Sequence, residues 1–582
     1  MYKLNTENFV KAQGFESFFG VWVPDNELVL DYSGVQNLSG IDFVSGANYY
    51  IMSTVFELID GTRKNLICTD DSGNENISAM LFRGYLLDPP LHSLSENDKL
   101  LKYWNNSSKC NHNGVFSAAF IKNMGKTLEL VTDAYGIGCL YYRKTGSRIW
   151  FSTSPRFLQF ENDKPDLIAW RSLLQTGFIC GDRALSIDVA RVPPGTTMCF
   201  HGDREYRNRW FDFSSLPEGT GHVDAVAVET VEQSFTTAME RCLKLKTQDV
   251  ILPLSSGYDS RRILGYLLDH EISFRSITVS RLTPDGFDLD GVISSAIANE
   301  LKFSHEQFPL PGVSDFLKNE KASRECLAHE SMIHSWFLPA WEKPVRSTLW
   351  FDGLCGDTLG HSGLKISGIG RQGPITPLSL QNAMFTPIYD SVLNRAYWPS
   401  VIEVKSEFAD YLKFLPVNNN FIDISMILHR ARRAVSISSQ QFCRPGMVVV
   451  YPYLDLDYVR SVLAFSPFDR FEKSLQNRCL SRFHPKLFSY FDKEENLISG
   501  QKIFQSNGTE LNKLEFERQY KHCLYKSGIW ELLKLIKLKR KVQLINFNYI
   551  HKNERPEWWL KPLLAMVDWK HYKPVYVGYI RK

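Results

Sequence analysis

No stretch of this chain approaches the ~18 uncharged apolar residues that a membrane-spanning helix requires, so a membrane protein is not expected. The first residues, MYKLNTENFVKAQGFESFFG, lack a basic segment followed by an apolar core. No secretory leader is therefore expected there, and a cytoplasmic location is. Cysteine is scarce and unpatterned: eleven residues, an odd number, with no CxxC. The nearest approach to a metal pair, Cys110-x-His112, lacks a second pair, so free thiols in a reducing compartment are the expectation. The strand–turn–helix at 251–264 contains neither the GKS/T of a Walker phosphate loop nor a GxGxxG dinucleotide fingerprint. Net charge is also nearly absent: 67 basic against 64 acidic residues leave +3, which gives no overall attraction to nucleic acid or lipid.

What is present is core-forming material. The chain is 44% hydrophobic, 13% aromatic and 23% charged, a balance that excludes a disordered or collagen-like protein. Its 582 residues exceed the ~250–300 that one core can serve, which implies two to four domains. Charge is unevenly spread. Residues 501–582 carry 17 Lys+Arg and 7 Asp+Glu, a local +10.

The first 215 residues read as strands and turns, in runs such as NYYIMSTVFELI, GVFSAAFI and LELVTDAYGIGCLYYR. SSLPEGTGHVD (214–224) is the most linker-like segment. Beyond it, residues 225–245 have apolar spacing that predicts an amphipathic helix. Apolar runs at 250–254, 274–280 and 348–353 then alternate with helical stretches, which predicts βαβ units and a parallel sheet. Residues 360–440 and 456–545 read as largely helical.

The sharpest local signal is ILPLSSGYDSRRIL (251–264). An apolar strand ends, Ser255-Ser256-Gly257 turns, and Asp259-Ser260 opens a helix. Such a turn aims backbone N–H groups at one point, where the helix N-terminus adds positive potential. Two hydroxyls, Ser255 and Ser260, can donate to phosphate oxygens. Asp259 would repel a phosphate by itself and fits one only with Mg²⁺ between them. A second acidic turn follows in LWFDGLCGDTLG (349–360), with Gly353, Gly356 and Asp357. Loops after neighbouring parallel strands meet at one sheet edge, so Asp259 and Asp357 could share Mg²⁺ on a pyrophosphate. The alternative is an ordinary strand–turn–helix with a capping Asp or Ser.

The order SxGxDS, helix-rich loop, GxxGD resembles the asparagine synthetase family of ATP pyrophosphatases. GVFSAAFI (114–121), DAYGIGCLYY (133–142), IWFSTSPRFL (149–158) and VPPGTTMCF (192–200) are similar to that family's amidotransferase domain. YPYLDLDYVRSVLAFSP (451–467) and KSLQNRCLSRFHP (473–485) resemble its PFLD segment and the basic helix after it. The resemblance implies an α/β protein in three parts. Residues 1–215 would form an amidotransferase-like α+β sandwich of the N-terminal-nucleophile type, and 216–510 a parallel-sheet ATP-pyrophosphatase domain with many helices. Residues 511–582 would be a basic, aromatic, largely helical extension.

Two departures bear on activity. The family's N-terminal cysteine nucleophile is replaced by Tyr2, and the first cysteine is Cys68. Its Asn-Gly oxyanion segment is matched by Arg83-Gly84. Loss of glutamine hydrolysis is the expectation, as in the β-lactam synthetases and lasso-peptide cyclases that this chain resembles in character. In the synthetase half, Ser256 stands for a glycine, and Asp357-Thr358 for a pair of acids.

The resemblance implies a ligase that activates a carboxylate with ATP as an acyl-adenylate, for attack by an amine on a small molecule or peptide, in specialised metabolite or peptide biosynthesis. Asp259 and Asp357 would hold Mg²⁺. Ser255, Ser256, Gly257 and Ser260 would cradle pyrophosphate, and Leu254, Ile277, Asp352 and Gly353 would flank the nucleotide. The lysine assisting amine attack would be Lys493, eight residues after Pro485, or Lys502 in GQKIF. Each is equally readable as a solvated surface lysine. An ammonia-dependent asparagine synthetase and a catalytically weak binding subunit stand as alternatives. A homodimer or a biosynthetic partner protein is compatible with all three, and the C-terminal segment 555–582 could meet an acidic or peptide partner or simply pack as a helix.

Overall fold

The computed structural model describes residues 2–4, 18–24, 30–31, 41–57, 63–65, 67–69, 77–92, 97–106, 112–160, 163–280, 288–308, 346–385, 397–434, 446–493, 497 and 576–578. Lys502, Cys110 and nearly all of 511–582 lie outside them.

The first half is built on two seven-stranded sheets. One runs in the order Arg204–Arg209, Thr196–His201, Thr127–Thr132, Gly114–Lys122, Ile77–Leu87, Ile67–Thr69, with Pro90–His92 beside Ile77–Leu87. The other runs Val189–Arg191, Tyr141–Thr145, Arg148–Ser152, Phe18–Trp22, Tyr49–Glu57, Ile41–Ser45, with Arg63–Asn65 beside Tyr49–Glu57. Neighbouring strands in both pair antiparallel.

Strand periodicity explains the layering. Phe18 and Trp22 join Leu81, Ala119, Leu130 and Phe151 in a cluster drawn from both sheets, while Phe19 and Val21 turn the other way, onto Tyr50, Trp150 and Phe157. A third cluster, Met80, Phe82, Phe116 and Phe120, is covered by Leu100 and Leu101 of the helix Asn97–Asn106. Both faces of each sheet are thus apolar, which is why the strands read as near-continuous hydrophobic runs rather than clean alternations.

The second half carries five strands: β1 (Asp249–Pro253), β2 (Arg275–Val279), β3 (His305–Phe308), β4 (Thr348–Phe351) and β5 (Met447–Val450). All pair parallel, in the order β3-β2-β1-β4-β5. Helix α1 (Ala225–Leu243) precedes the sheet. Helices α2 (Tyr258–Asp269) and α3 (Leu289–Leu301) make the β1–β2 and β2–β3 crossovers, and the short helix α4 (Gly356–Gly360) follows β4. Two further helices, α5 (Leu456–Leu463) and α6 (Ser474–Phe483), close the domain. Strand order reverses between β1 and β4, and in open parallel sheets that switch point is where a ligand crevice forms, beyond the C-terminal strand ends.

Segment 214–224 is less free than its composition suggests. Gly221 forms a bridge with Phe465, its N–H donating to the Ala464 carbonyl and its own carbonyl accepting from the Ser466 N–H. Asn420 donates to the Pro217 carbonyl. The two halves also meet directly. Tyr85 Oη accepts from the Tyr451 N–H at 3.0 Å, and Asn113 donates to Asp455 at 2.8 Å while accepting from the Leu456 N–H. No helix among the described residues is long and apolar enough to cross a membrane.

Candidate functional site

The two sequence turns converge at the switch point. β1 delivers Leu254, whose N–H donates to the Ile277 carbonyl on β2 at 2.8 Å; both side chains are buried. The Ser255 N–H then donates to Ser260 Oγ at 3.1 Å, the two hydroxyls lie 3.0 Å apart, and the Gly257 N–H donates to Ser255 Oγ at 3.2 Å. The loop is thereby folded back on the first turn of α2. Ser256 points toward α3: its N–H and hydroxyl both donate to Asp290 Oδ1, at 2.9 and 2.8 Å. One N–H of the expected phosphate cradle is therefore satisfied by a carboxylate from the next crossover.

β4 delivers the second turn. Asp352 is buried and accepts from the Leu354 N–H, and Cys355 adopts a left-handed backbone, φ 78°. Gly353 and Gly356 bring this turn against Asp259. A Cβ on Gly353 would lie 3.2 Å from Asp259 Cβ, and one on Gly356 would lie 2.4 Å from Asp259 Cγ. Only a residue without Cβ allows that approach at Gly356.

The approach has an electrostatic consequence. Burial, reinforced by the charge of Asp357, pushes the Asp259 carboxyl up to about 8, although Lys473, Arg262 and Gln476 pull it the other way. Asp357 shifts in the opposite sense. Burial would raise it, but Arg430, whose Nη2 stands 3.2 Å away, and Thr358 hold it below the usual carboxylate range. Two carboxyl groups in one crevice are thus driven apart.

Three partners, Gln476, Lys473 and Arg430, come from elements that the sequence did not connect to these turns, and a fourth, His361, caps the short helix of the second turn. Gln476 on α6 is buried and donates to both Asp259 Oδ1 and the Gly356 carbonyl. Lys473, just before α6, places Nζ 4.3 Å from the centre of the Tyr258 ring, which also stacks on Phe491 at 4.0 Å. Arg430 donates to Thr358 Oγ1 at 3.2 Å as well as pairing with Asp357. His361 is pushed down to about 4 by burial and by Lys473, so it is a neutral imidazole here. Glu472 (φ 56°) and Lys473 (φ 64°) are consecutive left-handed non-glycine residues. Such strain persists where surrounding structure over-determines it, often at functional sites.

Not every expected residue joins. Lys493 has a 45% exposed side chain, with Nζ 3.3 Å from Glu300 Oε2 near the C-terminal end of α3 and 4.4 Å from the Tyr490 ring centre. Lys502 lies outside the described residues. In the first half, Arg83 is buried on strand Ile77–Leu87 beside Gly84, whose φ of 104° demands glycine. A cavity of about 20 Å³, room for one water, lies between these residues and Met447–Val449 of β5, apart from the Asp259 crevice.

The donor set can be tested for metal. No cluster of three or more His, Cys, Asp or Glu able to hold an ion occurs among the described residues. Two electrostatically coupled carboxyls, one raised by burial and by the other, do suit Mg²⁺, which is commonly bound by one or two carboxylates together with phosphate oxygens.

No protein-family model matches the chain, and no curated protein matches it. Among solved structures it is similar to "the allosteric regulatory enzyme of purine biosynthesis", at 12% identity over 52% of this chain and 76% of that one, with a TM-score of 0.23. It is also similar to glutamine phosphoribosylpyrophosphate amidotransferase from B. subtilis complexed with ADP and GMP, at 12% identity over 66% and 76%, with a TM-score of 0.22. Likenesses this distant carry no argument about what the chain binds or does.

Proposed function

We propose that the protein is an ATP-dependent ligase that activates a carboxylate as its acyl-adenylate and passes the acyl group to an amine. The observation that supports this most directly is the meeting of Asp259 and Asp357 at the switch point of a β3-β2-β1-β4-β5 sheet, above a hydroxyl-lined turn. Magnesium bound there would supply charge neutralisation for the phosphate chain. The chain's own residues account for the rest. Ser255, Ser260 and the Gly257 N–H, bonded to one another in the free protein, would turn to hold a departing pyrophosphate, and Lys473, over the Tyr258 ring, would add a cation. Leu254, Ile277 and Gly353 would flank the adenine, and Asp352 would fix the turn that carries Gly353. In the amide-forming step the amine loses its proton and AMP leaves. Lys493 would assist only after leaving Glu300.

With Arg83 preceding Gly84 where the resembled family has Asn-Gly, we propose that the first half does not hydrolyse glutamine, so the amine is carried by the substrate or a peptide. A second reading, a nucleotide-binding subunit without turnover, is favoured by two particular contacts: Asp290 on the Ser256 N–H and Arg430 on Asp357.

ATP–pyrophosphate exchange across a panel of carboxylates and peptides separates the two readings. The ligase should show exchange with at least one carboxylate. Asp259→Asn and Asp357→Asn should each lower it by ~10²-fold or more, the scale of a lost electrostatic contact in a preorganised site. Tight ATP binding with no exchange for any carboxylate leaves the subunit reading standing. Lys493→Met should keep exchange and lose amide product; equal loss of both steps would remove Lys493 from the mechanism.

A further inference from the structure

Three arginines on one short stretch of chain point to opposite sides of the domain boundary. Residues Ile427–Ala431 form a π-helical turn, a widening of the helix that is rare and frequent at functional sites. Immediately after it, Arg432 and Arg433 run into the first half of the molecule and are essentially unexposed. Arg432 donates to the carbonyls of Gly136 and Val192 and pairs with Asp182 at 2.6 Å. Arg433 donates to the carbonyls of Gly181 and Arg183. His429 Nε2 meets Thr176 Oγ1 at 3.3 Å. These contacts fix the backbone of the turn. Arg430 alone within the turn is not buried, and it faces the other way, onto Asp357 and Thr358.

Resting on the adenylation reading, we propose that Arg430 is a phosphate-binding residue, holding Asp357 and Thr358 in the free protein and taking the pyrophosphate portion of ATP when it lies across the two turns. The contacts match that task. The guanidinium side chain is 27% exposed and its Asp357 partner 38%, so the pair is open to a solvent-borne anion. Two of the five N–H donors of an arginine are used by these partners, and the fork geometry that suits a carboxylate suits a phosphate equally. Thr358 matters here. The hydroxyl accepts one N–H without adding a negative charge, so the cation is held by one carboxylate rather than two. The carboxyls of the two turns repel pyrophosphate wherever they are ionised. A resident cation on one of them offsets much of that repulsion and makes anion binding less dependent on Mg²⁺.

The test is pyrophosphate binding to the full chain by titration calorimetry, with EDTA and then with Mg²⁺. Wild type should bind in both, and Arg430→Gln should lose about tenfold or more of the metal-free affinity while losing less with Mg²⁺. Arg430→Lys should recover part of the loss. Thr358→Val, which keeps shape and removes the hydroxyl that draws Arg430 back, should bind metal-free pyrophosphate at least as well as wild type. A purely structural clip predicts the reverse pattern, with lowered thermal midpoints in Arg430→Gln and Thr358→Val and unchanged affinity in whichever variant folds; that result overturns the proposal. If wild type binds Mg²⁺–pyrophosphate and Arg430→Gln matches it under EDTA, Arg430 is excluded while the ligase reading survives. If wild type binds neither pyrophosphate nor ATP under either condition, the ligase reading fails and takes this one with it.

Discussion

At the scale of single residues, the crevice holds a carboxyl group kept in a costly state. Asp259 is raised from an ordinary carboxylate to about 8 by burial and by Asp357. A carboxyl whose folded value exceeds its unfolded value binds its proton more tightly when folded, so stability falls as pH rises from about 4 to about 8. Asp259→Asn removes that loss. In metal-free buffer the variant should melt higher than wild type by a few degrees at pH 8, with the gap closing toward pH 5. Differential scanning fluorimetry across that range checks it, and a gap independent of pH would show that Asp259 carries no buried charge. Asp259 and Asp357 are legible in the sequence because each ends a strand-and-turn pattern. Lys473, Gln476, Arg430 and His361 are not. Lys473, Gln476 and Arg430 lie as many as 217 positions from Asp259 and only tertiary packing brings them in, whereas His361 follows the second turn directly but carries no motif of its own.

At the scale of elements, helices α1, α2 and α3 and strands β1, β2 and β4 lie where periodicity puts them, within a few residues. The two outer strands are different. His305-Glu306-Gln307-Phe308 is polar and half-exposed, and Met447–Val450, four apolar residues like β4, is not set apart by the helix-alternating rhythm that marks β1, β2 and β4. Both form because a neighbouring strand already presents its backbone groups, a reason outside their own sequence. The turn after β4 is where element geometry is most exacting. Gly356→Ala would push a methyl into the Asp259 carboxyl, so α4 or Asp259 must move. This variant should keep near-native circular dichroism and lose pyrophosphate binding by tenfold or more, whereas Gly146→Ala, a positive-φ glycine with open space around it, should leave binding unchanged. Equal binding by Gly356→Ala and wild type would mean that the two turns do not cooperate.

At the scale of the whole molecule, two sandwiched antiparallel sheets support a parallel sheet through buried polar contacts, among them the arginines beyond the π-turn and His429. His112, within a cage of Tyr103, Trp104, Phe116 and Trp210, and His429 are both pushed down to about 3 by burial. Their unfolded value near 6.5 lies above the folded one, so each contributes stability that is complete above pH 6.5 and is lost as pH falls toward 3. The slope for each is about 1.4 kcal/mol per pH unit, against which Asp259 contributes one slope of opposite sign. Denaturant midpoints should therefore fall between pH 6.5 and 5, and His112→Gln, if it folds, should make the fall shallower. The broad division into a sheet-rich first half and a βαβ second half was legible from composition and rhythm. The way residues 429–433 join the two was not, because its partners are mostly backbone carbonyls. On the proposed function, this junction serves a crevice where ATP is split between its α- and β-phosphates. Chromatographic analysis of nucleotide products from wild type, ATP, Mg²⁺ and the carboxylate that supports exchange tests it most directly. AMP and pyrophosphate in equal amounts, dependent on the carboxylate and absent in Asp259→Asn, is the predicted result; ADP and phosphate, or AMP formed equally well by Asp259→Asn, would contradict it.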